Sequence, residues 1–401
     1  MRHFVLVCLV AAAPAAASDL TLESVVAVAK PSAEKLAVES FLTAVARDLS
    51  LSRGIVLDGV AVSAEAGPRR SPESDGSDFA IGLELPLAGD RGERAAALDL
   101  FAQAERVLPA AAELEGGLAL RLAYVDAWEA AEGLVLARRQ EASAADWLRV
   151  VEARVAAGAE APYETALVVA EVGLARLALA EASVQEQIAW SELEARAAVG
   201  AIPRRLAAPL PATPGLDAAG AGDAVEQALP GSTLTRANDL RSSLRQALIL
   251  LDDARGASRW SFLATAAQEG EEDVARLGLG YRLPVAGQNA ARVTARDAAL
   301  AEERRGGELE LLRLEGRLRG AEARAAALAP GLPANAMLSP QEIEEALVAL
   351  EARVTTGRDR PSAVLPLRRQ LVGALLTELA ARAARARAVF QIQTLQAEIS
   401  Q

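Results

Sequence analysis

Phe79 to Glu105 reads FAIGLELPLAGDRGERAAALDLFAQAE and Leu277 to Glu303 reads LGLGYRLPVAGQNAARVTARDAALAEE; nine of the 27 aligned positions are identical. In each copy an alternating stretch runs into Leu-Pro and then Ala-Gly, and a long alanine-rich stretch of helical period follows. The side-chain period therefore switches from 2 to about 3.6 within a few residues, which marks a strand feeding a helix. A second echo fixes the length of the repeated unit. Glu152-Ala153-Arg154-Val155 with Gly158 and Pro162 returns as Glu351-Ala352-Arg353-Val354 with Gly357 and Pro361. Gly89 to Gly287 is 198 residues and Gly158 to Gly357 is 199. Two distant landmarks agree on one offset, so the chain is a duplication of one architecture and not a short-period solenoid.

Each half reads as lead-in helices, a pair of strands and a long helical hairpin. In the first half a capped helix starts at Thr21 and Pro31 separates it from a second, longer one. Strands are expected at about 55–66 and 79–87, on either side of a polar loop from Gly67 to Asp78. Phe79, Ile81, Leu83, Leu85 and Leu87 share one face, a length that suits either a one-sided sandwich strand or a tilted strand crossing a bilayer. From Asp90 to Gly158 the helical pattern is almost unbroken, which at 1.5 Å per residue amounts to roughly 100 Å. Pro109 and Gly116-Gly117 predict a kink or a segmented rod within it. Gly158 ends the helix, Pro162 restarts the next, and 156–162 is the tip of an antiparallel hairpin.

A linker rich in proline and glycine, 203–222, joins the first repeat (18–202) to the second (223–401). There the expected strands are about 259–267 and 274–285, flanking an acidic loop from Gln268 to Asp273. The second descent breaks between Pro330 and Pro340, and its hairpin tip is 355–361. The polar faces of the strands carry Glu84 in the first half and Arg276 and Arg282 in the second. If those faces line one lumen, Glu84 and Arg282 are candidate cross-strand neighbours; two independent solvated residues is the other reading. The fold class expected is mainly α with a small β part.

The ends and composition exclude much. Arg2, an apolar core from Phe4 to Ala13 and Ala15-Ala16-Ala17 read as a signal peptide over 1–17, with export as the consequence. That segment holds His3 and Cys8, the chain's one histidine and one cysteine. Nucleophiles served by histidine, thiolate metal sites and disulfides are therefore not expected downstream, and neither a metal site nor a cofactor site is assigned. Acids are scattered without a paired motif, so no catalytic residue is assigned either. A net charge of −12 argues against a nucleic-acid partner. No apolar run after residue 17 reaches the 18 or so residues of a spanning helix, so a membrane crossing would have to use strands.

These features together resemble the TolC family of outer membrane efflux proteins over nearly the whole chain. The motifs that carry the resemblance are Leu85 to Gly89, Leu283 to Gly287, and the two tips ending at Gly158 and Gly357. The resemblance implies a homotrimer in which each chain gives four strands to a shared twelve-stranded barrel in outer-membrane lipid and its helices to a periplasmic tunnel. It also implies a passive exit duct for small molecules or metal ions, served by a periplasmic adaptor and an inner-membrane transporter. By the same resemblance, Ala157, Gly158, Ala159 and Pro162 with Thr356, Gly357, Arg358 and Pro361 face the adaptor, and Glu164 is a candidate tunnel-entrance acid. An exposed glutamate favoured by the start of its own helix is the other reading of Glu164. The family's second-half acids fall at Ala363 and Pro366 here, so that acidic gate is absent. A soluble periplasmic coiled-coil scaffold without a pore is the alternative from another class.

Overall fold

The computed structural model describes residues 21–29, 32–51, 61–70, 75–86, 91–197, 206–208, 231–256, 260–269, 272–281, 286–327 and 339–399. The expected signal peptide, most of the linker, Arg282 and the break at 328–338 lie outside these residues. The elements in order are α1 (Leu22–Val28), α2 (Ala33–Leu51), β1 (Ala61–Arg70), β2 (Asp75–Pro86), α3 (Arg91–Ala156) and α4 (Pro162–Ala197). The second half supplies α5 (Thr233–Gly256), β3 (Trp260–Glu269), β4 (Glu272–Tyr281), α6 (Ala286–Ala327), α7 (Pro340–Thr355) and α8 (Pro361–Ile399).

The chain folds into two compact units, and they do not follow the duplication. One holds Met1–Ala33, Glu113–Ala228 and Arg317–Gln401; the other holds Glu34–Ala112 and Leu229–Gly316. Each unit thus contains material from both repeats. In the second unit the two lead-in helices pack with the start of α3: Val38, Leu42, Val45 and Leu49 of α2 meet Ala97, Ala104 and Leu108 of α3 and Leu244 and Leu251 of α5, all buried. Small residues on α3 let the helices approach closely. Gly307 of α6 does the same toward α5, where its carbonyl accepts from Asn238 Nδ2 at 3.1 Å. In the first unit a core of Tyr124, Trp128, Trp190, Leu193 and Phe390 joins α3, α4 and α8, and Leu22 and Val25 of α1 pack into it.

Four helix boundaries follow from capping. Thr21 accepts from Ser24 N at the start of α1, as its place ahead of an apolar run predicts. Ser339 and Glu342 form a reciprocal capping box at the start of α7, with Pro340 in its first turn. The Ser339 backbone N–H, donating at 2.6 Å, holds the Glu342 carboxyl below its ordinary pKa. The turns after α3 and α7 use Gly158 and Gly357 at φ 73° and 77°, the left-handed region that glycine enters without strain.

Pro109 does not segment α3. The helix runs through it, and through Gly116-Gly117, without interruption. Proline deprives the Glu105 carbonyl of its partner, but Glu105 is exposed and Leu108, Ala111 and Ala112 around the proline are at most 2% exposed. Packing on the buried side holds the helix together while water can reach the other.

The strands also differ from expectation, since the hairpin loops are shorter than their polar composition suggested. β1 continues to Arg70 and β2 begins at Asp75, with Gly67 opposite Asp78 and Arg70 opposite Asp75. Gln268 pairs with Asp273, and Glu269 with Glu272. Backbone pairing carries the strands on through polar residues, so polarity alone placed the ends too early. The four strands form one antiparallel sheet in the order β1-β2-β3-β4, and β2 pairs with β3 across the two repeats.

Register assigns every side chain of the sheet to a face. One face carries Val62, Ala64 and Ala66, then Phe79, Ile81, Leu83 and Leu85, then Trp260, Phe262, Ala264 and Ala266, then Leu277, Leu279 and Tyr281. Over this band the face is apolar and largely uncovered: Val62, Leu277 and Leu279 are 67%, 75% and 66% exposed; beyond the band, Gln268 opposite Phe79 continues the same face with a polar residue. The Trp260 and Tyr281 rings, directly opposite each other, lie 4.8 Å apart at one end of this face. The other face is built mostly from small and polar residues, with Leu263 and Val274 as larger apolar ones. Ser63 sits opposite Gly82, and Ser261 opposite Gly280, so the duplication preserves a serine–glycine pair one repeat apart. A Cβ on Gly82 would stand 2.5 Å from Ser63 Oγ, and one on Gly280 would stand 2.6 Å from Ser261 Oγ and 3.1 Å from Leu263 Cδ1. More bulk on one face than on the other lets a sheet curl toward the smaller side.

Gly280→Val is expected to destabilise the protein by about 1–3 kcal/mol through overpacking on this face, with Ser261→Ala recovering part of the loss. Thermal unfolding of the single and double variants measures it; an unchanged midpoint for Gly280→Val would show that the face has room to spare.

Candidate functional site

The two hairpin tips lie together in the first unit. In each, the glycine N–H and the next N–H fold back onto the helix just ended: Gly158 N bonds Val155 O at 2.9 Å and Ala159 N bonds Arg154 O at 2.8 Å. Gly357 N to Val354 O (3.0 Å) and Arg358 N to Arg353 O (2.9 Å) repeat the arrangement. These are Schellman turns, which satisfy carbonyls left over at a helix end. Each turn also closes an internal ion pair at the same place, Arg154 with Glu160 and Arg353 with Asp359, both at 2.6 Å. Of the eight docking residues expected from the sequence, Ala157, Gly158, Ala159, Pro162, Thr356, Gly357 and Arg358 are exposed. Pro361 is buried beneath the second tip.

Glu164 corrects an expectation. It is fully buried, and its carboxylate is turned onto the start of α8, where Ser362 donates its backbone N–H at 3.0 Å and its hydroxyl at 2.6 Å. Ser362 is the second residue of α8, so its N–H is one of the donors that a helix start leaves without an intrahelical partner. A carboxylate from the first hairpin therefore caps a helix of the second, and its charge meets the positive end of that helix. Reading Glu164 as a solvated acid, at a tunnel entrance or at its own helix start, missed this because the partner is about one repeat away in sequence.

Arg154 makes the reverse contact. Its Nη1 lies 3.5 Å from the Val354 carbonyl at the end of α7, and its guanidinium would be 3.4 Å from a Cβ on Gly357. A cation of the first tip thus sits at the negative end of a second-repeat helix. Two turns from Glu164, Glu171 holds two guanidinium groups. Arg368 Nη1 donates to Oε1 at 3.0 Å, and Arg369 donates Nε and Nη2 to Oε2 at 3.0 and 2.7 Å. Arg368 is 3% exposed; it also donates to the Gln140 carbonyl and lies over the Trp147 ring at 5.1 Å. Trp147, Val151, Val168, Val354, Val364 and Leu365 form the apolar core around these pairs. A buried pair contributes geometry more reliably than net stability, and this one fixes the register of α4 against α8.

Arg154, Glu171, Ser362, Arg368 and Arg369 were not singled out from the sequence. The signal was present as an asymmetry: the first hairpin's restart carries Glu164 and Glu171 with no arginine before Arg176, where the second carries Arg368 and Arg369 with no acid before Glu378.

The lumen candidates lie in the other unit. Glu84 and Arg276 are both on the small-residue face of the sheet. Glu84 is flanked by Ala61 and Leu263, and β2 has β1 and β3 as its neighbours. A residue of β4 is therefore not its direct cross-strand neighbour, and Arg282 lies outside the described residues. Among the described residues no helix is long and apolar enough to cross a membrane.

No protein-family model and no curated protein matches this sequence. Solved structures do match in fold. The CmeC outer membrane channel of Campylobacter jejuni superposes with a TM-score of 0.67 at 17% identity, over 93% of this chain and 85% of that one. A membrane protein from Pseudomonas aeruginosa gives 0.66 at 19% identity, over 94% and 90% of the two chains. The MtrE outer membrane channel of Neisseria gonorrhoeae, in its open state, gives 0.61 at 17% identity over 93% and 88%.

Glu164→Ala is expected to cost about 3 kcal/mol by stranding two donors at the start of α8, with Ser362→Ala costing less. Amide hydrogen exchange at Ser362 and the residues just after it measures the effect; protection unchanged in Glu164→Ala would show that the carboxylate does not hold that helix start. The duplicated strand pairs, the helical hairpins and these superpositions agree that the chain has the TolC-like fold of the outer membrane channels.

Proposed function

We propose that this protein is a subunit of a homotrimeric exit duct in the outer membrane, reaching into the periplasm, where a periplasmic adaptor and an inner-membrane transporter supply its cargo. The observation that carries the reading is the sheet. It presents an exposed apolar band, bordered by polar residues toward the hairpin loops, on strands of ten to twelve residues, about the length of a tilted strand crossing a bilayer. A water-exposed scaffold would have no use for such a face, whereas lipid covers it. Among the described residues β1 and β4 have a partner on one side only, and three copies joined edge to edge close a barrel of twelve strands.

In that barrel the small-residue face turns inward. Ser63, Gly82, Thr265, Gly278 and Gly280 then leave the lumen open, with Glu65, Glu84 and Arg276 among its charged groups. Trp260 and Tyr281 fall at one rim of the apolar band, where amphipathic rings prefer to lie. The exposed residues of the two tips are the docking surface for the adaptor. Glu164 serves as a clasp between the hairpins and not as an acid facing the passage. The duct is passive, and no catalytic role is assigned.

Fractionation of cells followed by the mass of the detergent-extracted protein tests this reading. Recovery in the outer membrane at about three times the chain mass, with conductance in planar bilayers, is the expected outcome. A monomer recovered from the soluble periplasm would contradict it.

A further inference from the structure

The two tips differ in charge at the surface they share. In the first, Glu160 is 3% exposed and is neutralised by Arg154, and the turn itself is Ala156, Ala157, Gly158 and Ala159. This tip therefore presents no exposed charge. In the second, Asp359 is engaged by Arg353, which leaves Arg358 and Arg360 exposed with no ion pair to a described residue. Two uncompensated cations thus stand beside a neutral turn, on a chain whose net charge is −12. Neither arginine takes part in the clasp made by Arg154, Glu164 and Glu171.

Resting on the reading of the tips as a docking surface, we propose that the partner recognised there is a protein segment with an acidic turn, its carboxylates paired with Arg358 and Arg360 while its neighbouring side chains rest on the alanine and threonine surface. Local positive charge against a negative whole selects for a partner of opposite sign and repels the chain's own acidic surfaces, including those of other copies. The surface is also shaped to receive. Ala157, Ala159, Thr355 and Thr356 are small and exposed, so a partner's larger side chains can reach the turn backbone. An anionic lipid surface fits less well. Two basic residues contribute only about 1 kcal/mol each at such a surface, and neither turn carries a large apolar side chain to insert.

The test places a photocross-linking residue at Ala159 or at Thr356 in the full chain, expressed in its native host, and identifies the cross-linked segment by mass spectrometry. The expected result is a protein segment with at least two acids within one turn of the cross-link. Arg358→Glu/Arg360→Glu should lower the yield about tenfold or more, and replacing the partner's acids by arginine should restore it. An unchanged yield in the charge-reversed chain, or a cross-linked segment without acids, overturns the proposal and leaves the duct standing. Absence of any protein cross-link at both tips in an otherwise wild-type chain overturns the docking reading as well. Flotation with phosphatidylglycerol vesicles covers the lipid: binding by the wild type that is lost in the charge-reversed chain would assign the arginines to a membrane instead.

Discussion

A four-stranded sheet with two open edges and one uncovered apolar face is not a finished structure in water. Open edges invite further strands, and a contiguous apolar surface invites any available cover. Both demands are met together by lipid on one face and by more copies of the chain at the edges. The rest of the β region is consistent with that solution. Glycines stand opposite serines on one face, where a curling sheet has least room, while Trp260, Phe262, Leu277 and Leu279 take the opposite one. The pairing of β2 with β3 requires both repeats, so one half alone could not build the sheet.

At the hairpin tips a different problem has a related answer. Each repeat leaves a helix end and a helix start with unpaired backbone groups, and the Schellman turns satisfy only part of them. The remainder is handled between repeats. Arg154 attends to the end of α7, and Glu164 to the start of α8, so each charge meets the helix end of opposite polarity. Duplication followed by divergence explains why the charges are unequal. With Arg154, Glu164 and Glu171 on the first hairpin and Ser362, Arg368 and Arg369 on the second, neither is interchangeable with the other, and Ala363 can occupy the place that corresponds to Glu164.

Much of the architecture was legible in the sequence because it rests on local period and on punctuation. The strand-to-helix switch near Pro86, the turns at Gly158 and Gly357, the proline restarts at 162 and 361 and the Ser339 cap all follow from neighbouring residues. Strand ends and the continuity of α3 were less legible. Pro109 is tolerated because Leu108, Ala111 and Ala112 are packed by helices distant in the chain, and the strands run on through polar residues because their backbone pairing continues there. The clasp was the least legible part. Glu164 and Ser362 are 198 residues apart, and only the placement of both hairpins side by side makes a capping pair of them.

The central claim is that the apolar face of the sheet meets lipid and the small-residue face meets water. Single cysteines at 81, 83, 277 and 279 on the one face, and at 80, 84, 276 and 278 on the other, can be probed with a membrane-impermeant thiol reagent in intact outer membranes. The account predicts alternation: labelling at the second set and protection at the first, with the pattern lost after denaturation. Equal labelling of both sets would mean that the face is bathed in water and the sheet does not enter the bilayer.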